Sequence, residues 1–428
     1  MTLLLTLAGT LSFIDRQILA VMIGPIKRDL GQLSDTEISL IIGLAFALIY
    51  ALSTFPLARL ADRANRRNII AAGIFGWSAM TALAGFANSF WQLFGARMGV
   101  GIGEAALGPA TTSLLTDYWD RERLPLAFGI VGTAPFIGSG IAALVGGPLV
   151  QYLEARPNLV LPLFGEVFSW QAVLITVGLP GVLFSLAMFT FKEPERRTAI
   201  DESEAGYPLI EVWRFVRSRW DYLGWHFLAF LCLSIQGFAF LTWIVEFFVR
   251  KHEWTRSEIG QAYGIIAIVV GIAGSIWAGL YAGRMLTRGQ LDGALRLTLW
   301  GILGLAPIAV AMPLLNNAYW ALALVVPITF CMAMPVGLSN SALQAVAPNR
   351  MRGQLIAIYL IAVSFLSYAF APTIIGVMND YVFESESAID LSLATLAAIN
   401  YSIAAISLAL ALKPFRAHAK TALEWQAD

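Results

Sequence analysis

The chain has few charged residues, few cysteines and few histidines. Aspartate, glutamate, lysine and arginine make up 13% of its 428 residues and hydrophobic residues 58%, whereas a soluble domain is about 25% charged. This composition excludes an ordinary soluble protein. With two cysteines and three histidines, we expect neither a disulfide framework nor a metal site. Acidic and basic residues balance at 28 each, so the net charge does not indicate a nucleic-acid partner.

Motifs of ATP-driven pumps and of enzymes are also missing from the sequence. It contains no Walker-type phosphate loop and no evident pairing of a nucleophile with a base. We therefore expect neither ATP-driven pumping nor enzymatic activity, and we predict no cofactor.

Long apolar runs are what the chain has in abundance. A helix needs roughly 20 residues to cross the bilayer core, and helix is required because lipid offers no partners to backbone polar groups. We predict an all-α integral membrane protein with twelve spans, near residues 2–23, 39–60, 68–87, 91–115, 124–150, 169–191, 223–248, 260–283, 294–313, 320–346, 354–378 and 391–412. The first run has no basic leader and no evident cleavage site, so we interpret it as a membrane helix and not as a signal peptide.

The distribution of basic residues predicts the orientation of the spans. Cytoplasmic loops of membrane proteins carry an excess of lysine and arginine. If both termini are cytoplasmic, six of the 28 basic residues lie outside, namely Lys27, Arg28, Arg156, Arg250, Lys251 and Arg256. Apart from Arg16 and Arg97, which lie within spans, all the others then lie inside. We therefore predict that both termini are cytoplasmic.

A polar linker separates six spans from six. Its second part places Ile210, Val212, Trp213 and Val216 among arginines. This pattern is typical of an amphipathic helix on the cytoplasmic membrane surface, and a solvated linker is the alternative. The predicted domains are an N-terminal six-helix bundle (1–191), the linker (192–222), a C-terminal six-helix bundle (223–412) and a cytoplasmic tail (413–428).

The two halves of the chain share a short pattern. Ala58 and Arg63, which follow the second span, recur 221 residues later as Gly279 and Arg284 after the eighth. Repeated halves with a binding site between them are a common plan of secondary transporters.

The first copy of this pattern resembles the signature of the major facilitator superfamily, G-x-x-x-D-R/K-x-G-x-R/K-R/K. The matching residues are Asp62, Arg63, Arg66 and Arg67. Ala58 replaces the leading glycine, and Asn65 replaces the turn glycine, where we expect it to tolerate a left-handed backbone. The fourth span adds Arg97 followed by Gly101 and Gly103, similar to the family's fourth helix, and the fifth span is rich in glycine and proline.

Three segments are similar to the spinster lipid transporters within that superfamily: 13–16 (FIDR), 61–67 (ADRANRR) and 99–105 (GVGIGEA). The chain thus resembles a bacterial spinster homologue. The resemblance implies two pseudo-symmetric six-helix bundles around a central cavity, with transport by alternating access. It also implies protons, membrane lipids and a lipid-like substrate as partners, no nucleic acid, a monomer and a bacterial inner membrane.

The resemblance further implies a cytoplasmic gate. Asp62 is expected to face a helix N-terminus of the other half, where the helix dipole stabilises a carboxylate. Arg63, Arg66, Arg67 and Arg284 are expected to belong to the same gate. Because the second copy has Gly283 in place of the aspartate, the gate is expected to be asymmetric. Solvated turn charges are the alternative interpretation.

Four charged residues lie deep within the predicted spans: Asp15 and Arg16 in the first, Arg97 and Glu104 in the fourth. A charge at this depth costs at least a few kcal/mol and usually handles an ion, a proton or a substrate. We interpret Asp15 and Glu104 as proton carriers, with Arg16 and Arg97 as substrate-binding or charge-switch residues. In the simplest scheme, deprotonated Asp15 pairs with Arg16. Fixed ion pairs that hold the helices together are the alternative.

The second half is nearly uncharged at the same depth. Shifting Asp15 by the repeat distance reaches Gln236, and we add Phe238, Trp243 and Asn340 as candidates that line a cavity. A cavity with one charged and one apolar wall suits an amphipathic substrate. Glu246, near the outer end of the seventh span, is interpreted as interfacial.

These observations predict a secondary active transporter of lipid-like amphipaths, such as lysophospholipids or sphingoid phosphates, with proton coupling through Asp15 and Glu104. Small organic anions and amphipathic drugs are the alternative substrates. A receptor or scaffold that transports nothing is the alternative of a different class.

Overall fold

A computed structural model describes residues 1–120, 123–156, 159–161, 165–194, 208–348 and 351–427. Nearly all of these residues are helical. The α-helices are α1 (Thr2–Val21), α2 (Ile23–Asp29), α3 (Asp35–Ser39), α4 (Ala45–Arg63), α5 (Arg66–Ala84), α6 (Phe90–Glu104), α7 (Leu107–Tyr118), α8 (Leu124–Val131), α9 (Ala134–Glu154), α10 (Ser169–Ala187), α11 (Leu209–Ser218), α12 (Trp220–His252), α13 (Arg256–Thr287), α14 (Gly293–Leu314), α15 (Ala318–Ala333), α16 (Pro335–Val346), α17 (Arg352–Val377) and α18 (Ile389–Ala427). Two short antiparallel strands, β1 (Leu159–Leu161) and β2 (Gly165–Val167), connect the fifth and sixth spans.

The helices follow the predicted spans. Within the described residues, ten helical segments are long and apolar enough to cross a membrane. The two remaining predicted spans, near 68–87 and 91–115, correspond to α5 and to α6 together with α7. The predicted all-α membrane architecture is therefore confirmed.

Several spans are interrupted along their length. A π-helical turn, Leu40–Leu44, joins α3 to α4, and Ala105 and Ala106 separate α6 from α7. Interrupted helices at membrane depth are tolerated where they are buried in protein or line a cavity. The second break places Glu104 at the C-terminal end of α6.

Small residues bring α6 close to its neighbours. A Cβ atom added at Gly103 would lie 2.6 Å from the backbone nitrogen of Trp77, and one added at Gly101 would lie 2.8 Å from the carbonyl oxygen of Phe46. Any larger side chain would therefore push α6 away from α5 and α4. Trp77 is fully buried in the core that these helices share.

The described residues group into two compact units that cross the boundary between the halves. The first unit contains Met1–Ala199, Ala239–Ile268 and Tyr368–Ile389, and the second contains Ile200–Phe238, Val269–Ser367 and Asp390–Asp428. The first unit thus combines the first six spans with one end each of α12, α13 and α17. The predicted division into two bundles at the linker stays a prediction, and residues 195–207 of that linker lie outside the described residues.

The second part of the linker forms α11, but its apolar face is directed differently from our expectation. Val212, Phe215 and Val216 are buried, whereas Ile210 and Trp213 are exposed. The most apolar face of the helix therefore packs against protein, where burial stabilises it without lipid. The membrane-surface interpretation is retained only for the face that carries Ile210 and Trp213.

Candidate functional site

The deep charged residues of the first and fourth spans meet in the first unit, in what we call the central cluster: Ser12, Asp15, Arg16, Arg97, Glu104 and Tyr368. Arg16 Nε donates to Glu104 Oε2 at 2.6 Å, and Ser12 Oγ donates to the same oxygen at 2.7 Å. Arg16 Nη1 donates to the Tyr368 hydroxyl at 2.9 Å. The cluster thus connects α1, α6 and α17.

Aromatic rings surround the Arg16 guanidinium. Its central carbon lies 4.7 to 5.2 Å from four ring centroids. The rings are those of Phe13, Phe46, Tyr50 and Tyr368. A cation over aromatic faces is stabilised by about 0.5–2 kcal/mol at each desolvated contact. Arg16 therefore has favourable contacts that do not depend on its carboxylate partner.

The structure corrects the simplest pairing scheme, because Arg16 pairs with Glu104 and not with Asp15. Adjacent residues on a helix point about 100° apart, so the two side chains of the Asp15–Arg16 dipeptide do not face each other. Within the described residues Asp15 forms no salt bridge, although it is 3% exposed. It interacts electrostatically with Arg97 and Glu104, and Arg97 Nη1 donates to the Asp15 carbonyl oxygen at 3.3 Å.

Several buried polar atoms of this region lack hydrogen-bond partners among the described residues. They include Glu104 Oε1 and Arg97 Nε. An unpaired buried polar atom costs about 1–3 kcal/mol, and each instance calls for an explanation. Here the free oxygen of Glu104 is a place where a proton or a polar substrate atom can bind.

The turn after the second span is built differently from the sequence prediction. Asn65 has φ −70° and ψ 112°, and its side chain caps α5 by accepting from the Asn68 backbone nitrogen at 2.9 Å. The tolerance of asparagine for a left-handed backbone is not used here, because a residue whose side chain caps a helix N-terminus is typically extended. Asp62 and Arg63 are exposed at the C-terminal end of α4.

Arg66 connects helices within the first unit. It is 1% exposed, forms an ion pair with Asp117, donates to Glu193 Oε1 at 3.0 Å and donates to Ser113 Oγ at 2.9 Å. Such contacts are typical of a residue that fixes α5 against α7. Arg67 donates to the Phe191 carbonyl oxygen at 3.2 Å.

Arg284 is exposed near the end of α13. The common gate role of Asp62, Arg63, Arg66, Arg67 and Arg284 stays a prediction.

The second-half candidates differ in burial and in their hydrogen bonds. Gln236 is buried and accepts from Asn400 Nδ2 at 3.5 Å. Trp243 is fully buried and donates to the Pro372 carbonyl oxygen at 3.1 Å. Phe238 is half-buried, and Asn340 Oδ1 is buried without a hydrogen-bond partner among the described residues. Their role in lining a cavity stays a prediction.

Glu246 does not occupy the interfacial position that its place in the sequence indicated. It is 3% exposed and accepts from Arg250 Nε at 2.9 Å and Arg256 Nη2 at 3.1 Å. Two arginine partners explain its burial, since a buried carboxylate requires compensation.

Sequence reasoning missed Tyr368 and the partners of Asp35. Tyr368 is one of several aromatic residues in an apolar span, and nothing in its sequence context distinguishes it. Asp35 belongs to a loop in the sequence, and its contacts Arg250 and Asn379 lie more than two hundred residues away. The only signal was the small number of basic residues predicted outside, which include Lys27 and Arg250.

The sequence pattern of the Major Facilitator Superfamily matches residues 5–372. The chain belongs to the major facilitator superfamily. It is therefore a multi-pass membrane protein of a transporter family and not an enzyme.

Solved structures agree with this assignment. A bacterial homologue of the human lysosomal transporter Spinster, in an inward-facing and unoccupied conformation, is 25% identical, with a TM-score of 0.78 over 99% of this chain and 97% of that one. The inward-facing, occupied form has a TM-score of 0.75. A D-xylose–proton symporter, 15% identical with a TM-score of 0.68, shares the fold. The predicted major facilitator fold and the spinster-type resemblance are confirmed.

Curated relatives include proteins with different transport names. An MFS-type efflux pump of Mycolicibacterium smegmatis is 30% identical over 284 residues, which are 66% of this chain and 62% of the pump. A probable L-galactonate transporter of Escherichia coli K12 is 23% identical over 396 residues, which are 88% of this chain and 82% of that protein. The chain thus matches less than two thirds of the efflux pump's length.

Proposed function

We propose that this protein is a proton-coupled secondary transporter of lipid-like amphipaths that works by alternating access. The observation that carries this proposal is the buried Arg16–Glu104 pair, in which Glu104 Oε1 has no partner among the described residues. A structural ion pair would be expected to satisfy both carboxylate oxygens. A group that takes up and releases a proton benefits from an unoccupied oxygen.

Glu104 and Asp15 carry the proton in this proposal. Protonation of Glu104 removes the negative charge opposite Arg16, while the four surrounding rings keep the guanidinium in place. Because Asp15 also interacts electrostatically with Glu104, a change of charge at one carboxyl group affects the other. A tenfold difference in proton affinity between two conformations is worth about 1.4 kcal/mol, which is enough to bias their populations.

Tyr368 connects this proton step to α17. Its hydroxyl accepts from Arg16, and its ring lies 5.1 Å from the same guanidinium. A change in the Arg16–Glu104 pair therefore alters a contact between a first-half helix and a second-half helix. Movement of the halves relative to each other is what alternating access requires.

Lysophospholipids or sphingoid phosphates are the proposed substrates. Arg16 and Arg97 supply positive charge for a phosphate-bearing head group, and the rings of Phe13, Phe46 and Tyr50 beside Arg16 offer apolar surface. Gln236, Phe238, Trp243 and Asn340 remain candidates for lining the cavity.

Small organic anions are the second candidate class, since the buried Arg97 Nε lacks a partner among the described residues and one relative is named as a probable L-galactonate transporter. Amphipathic drugs are the other alternative substrates, and one relative is named as an efflux pump.

The remaining elements follow the predicted orientation. Both termini lie in the cytoplasm, the protein is a monomer in the bacterial inner membrane, and Asp62 with Arg63, Arg66, Arg67 and Arg284 forms the cytoplasmic gate.

Binding of lysophospholipids with progressively shorter acyl chains tests the substrate class. Each buried methylene is worth about 0.8 kcal/mol, so each methylene removed should weaken binding by about fourfold. An affinity for purified protein that does not change with chain length would exclude the lipid and favour the organic anion. Proteoliposomes that move neither lysophospholipids, sugar acids nor cationic drugs would favour a receptor or scaffold.

A further inference from the structure

A second buried charge cluster lies in the first unit, at the end of the spans opposite Met1. We call it the Asp35 cluster: Lys27, Asp35, Glu246, Arg250, Arg256, Asn379, Asp380 and Glu386. We call this end the outer end, because the predicted orientation places it outside. The cluster contains residues from both halves of the chain.

Asp35 is the centre of this cluster. It is fully buried, and Arg250 contacts both of its oxygens, with Nη1 at 2.6 Å from Oδ2 and Nη2 at 2.9 Å from Oδ1. Lys27 forms an ion pair with Oδ1, and Asn379 Nδ2 donates to Oδ2 at 2.8 Å. Bidentate arginine–carboxylate pairs are among the strongest charge-assisted hydrogen bonds. Both oxygens of this buried carboxylate are therefore fully satisfied.

Asp380 adds a helix cap across the same boundary. Its carboxylate accepts from the backbone nitrogens of Asp35 at 3.3 Å and Thr36 at 2.7 Å. These are the first N–H groups of the helical segment Asp35–Arg63. A carboxylate at a helix N-terminus pairs with free N–H groups and with the helix dipole. The end of the eleventh span thus caps the start of the second.

Glycines allow the same two spans to touch along their backbones. A Cβ atom added at Gly376 would lie 2.5 Å from the Asp35 carbonyl oxygen, and one added at Gly43 would lie 2.5 Å from the Tyr368 carbonyl oxygen. Close packing therefore extends from the central cluster to Asp35. The outer charges complete the contact, since Lys27 Nζ donates to Glu386 Oε1 at 2.8 Å.

We propose that Asp35 and Asp380 form an outer gate that holds the outer end of the transport path closed and must separate for that end to open. The proposal rests on alternating access but not on the identity of the substrate or on proton coupling. Contacts that join the two halves at one end have to break when that end opens. Here they combine a buried multidentate ion pair, a helix cap and backbone packing, so the closed state is strongly favoured.

The proposed outer gate has a counterpart at the other end of the same segment. Asp62 lies near the C-terminal end of α4 and is expected to face a helix N-terminus of the second half. At the outer end the roles of the halves are exchanged. There the second half supplies the carboxylate, Asp380, and the first half supplies the helix N-terminus at Asp35. Each gate would stabilise one of the two conformations, and the balance between them sets the resting state.

Distances between spin labels at the outer end test this proposal. Gln32, in the first half of the chain, and Val382, in the second half, are both exposed and carry the labels. The only two cysteines of the chain, Cys232 and Cys331, are replaced by serine. Pulsed electron paramagnetic resonance is recorded in nanodiscs with no substrate and no pH gradient. The measured distance does not depend on transport of lipid or protons. The outer-gate proposal can therefore be tested even if the proposed substrate or the proton coupling is wrong.

Asp35→Asn should raise the ratio of long to short distances about tenfold or more, because it leaves Lys27 and Arg250 without their carboxylate. Asp380→Asn is a milder second variant, since its amide oxygen still accepts a hydrogen bond but carries no charge. It should shift the ratio in the same direction. The matched control is Glu154→Gln, which removes an acidic residue that pairs with the exposed Arg28 and should change nothing. Gel filtration checks that both aspartate variants are folded and monodisperse. If both then give the same distances as the parent, the proposal is overturned.

Discussion

The central cluster and the Asp35 cluster use the same kinds of residue, but their central carboxylates complete their hydrogen bonds to different extents. Asp35 has partners on both carboxylate oxygens, whereas Glu104 leaves Oε1 without a partner among the described residues. Asp35 and Glu104 are both buried, so burial alone does not separate them. The difference favours a contact that stabilises one conformation at Asp35 and a site of exchange at Glu104.

This contrast follows from the cost of buried charge. Breaking a buried pair by removing one partner costs about 3–5 kcal/mol, because the other charge stays buried without compensation. A network that is only partly satisfied has already lost part of that energy. Substitutions in the Asp35 cluster should therefore affect stability and conformation most, and substitutions in the central cluster should affect transport most.

The largest expected effect on stability is that of Asp35→Asn. It should lower the free energy of unfolding by about 3 kcal/mol, because Lys27 and Arg250 lose a carboxylate that they share. Thermal unfolding of the purified protein in detergent measures the change. Glu154→Gln is the control and should stay within about 0.5 kcal/mol of the parent, as expected for an exposed pair. Equal stability of both variants would remove the distinction between the clusters.

Glu104→Gln should destabilise the protein less, by about 1–1.5 kcal/mol. The glutamine oxygen can still accept from Ser12, and Arg16 retains its four rings and Tyr368. The same unfolding measurement applies. A loss as large as that of Asp35→Asn would show that the Arg16–Glu104 pair is a structural contact, as in the alternative interpretation of the sequence.

Tyr368→Phe tests the link between the central cluster and α17. It removes one hydrogen bond to Arg16 and retains the ring, so transport driven by a pH gradient should fall by about threefold to tenfold. Tyr50→Phe is the matched control, because the Tyr50 ring also lies over Arg16, at 5.2 Å, whereas Arg16 Nη1 donates its hydrogen bond to the Tyr368 hydroxyl. A link specific to Tyr368 predicts a shifted pH profile for that variant alone. Identical pH profiles of the two variants would argue against it.

The smallest expected effect concerns the cytoplasmic gate. Asp62→Asn should favour the inward-open state by up to about fivefold, since a carboxylate near a helix terminus contributes about 0.3–1 kcal/mol. Spin-label distances between the inner ends of α4 and α17 measure it. The outer-gate variants should shift the conformational balance in the opposite direction, and a shift in the same direction would contradict the two-gate scheme.

The features predicted from sequence are those encoded in contiguous residues. Long apolar runs predict the spans, because lipid requires backbone groups to be satisfied within each segment. Asp15, Arg16, Arg97 and Glu104 could be recognised as a group because charges at this depth are rare. Their pairing could not be recognised, since it depends on the rotation of α1 and on the break in α6 at Ala105.

The features that escaped prediction depend on contacts between distant parts of the chain. Asp380 lies 345 residues from the backbone nitrogen that it accepts from at Asp35, so no local pattern reveals the cap. Asn65 replaces a family glycine and was expected to tolerate a left-handed backbone, but its backbone is extended and its side chain caps α5. In both cases a polar side chain satisfies backbone N–H groups at a helix start.

The central claim is that Asp15 and Glu104 couple transport to protons. Its most direct test is the uptake of radiolabelled palmitoyl lysophosphatidylethanolamine into proteoliposomes under an imposed pH gradient. Uptake by the parent protein is compared with uptake by the Asp15→Asn/Glu104→Gln double variant. The account predicts that the parent accumulates the lipid against its concentration gradient. The double variant is compared at the same protein density, and it should still exchange the substrate. We expect it to bring the lipid only to equal concentrations inside and outside the vesicles. Accumulation by the double variant that still follows the pH gradient would contradict the account and place the proton path elsewhere.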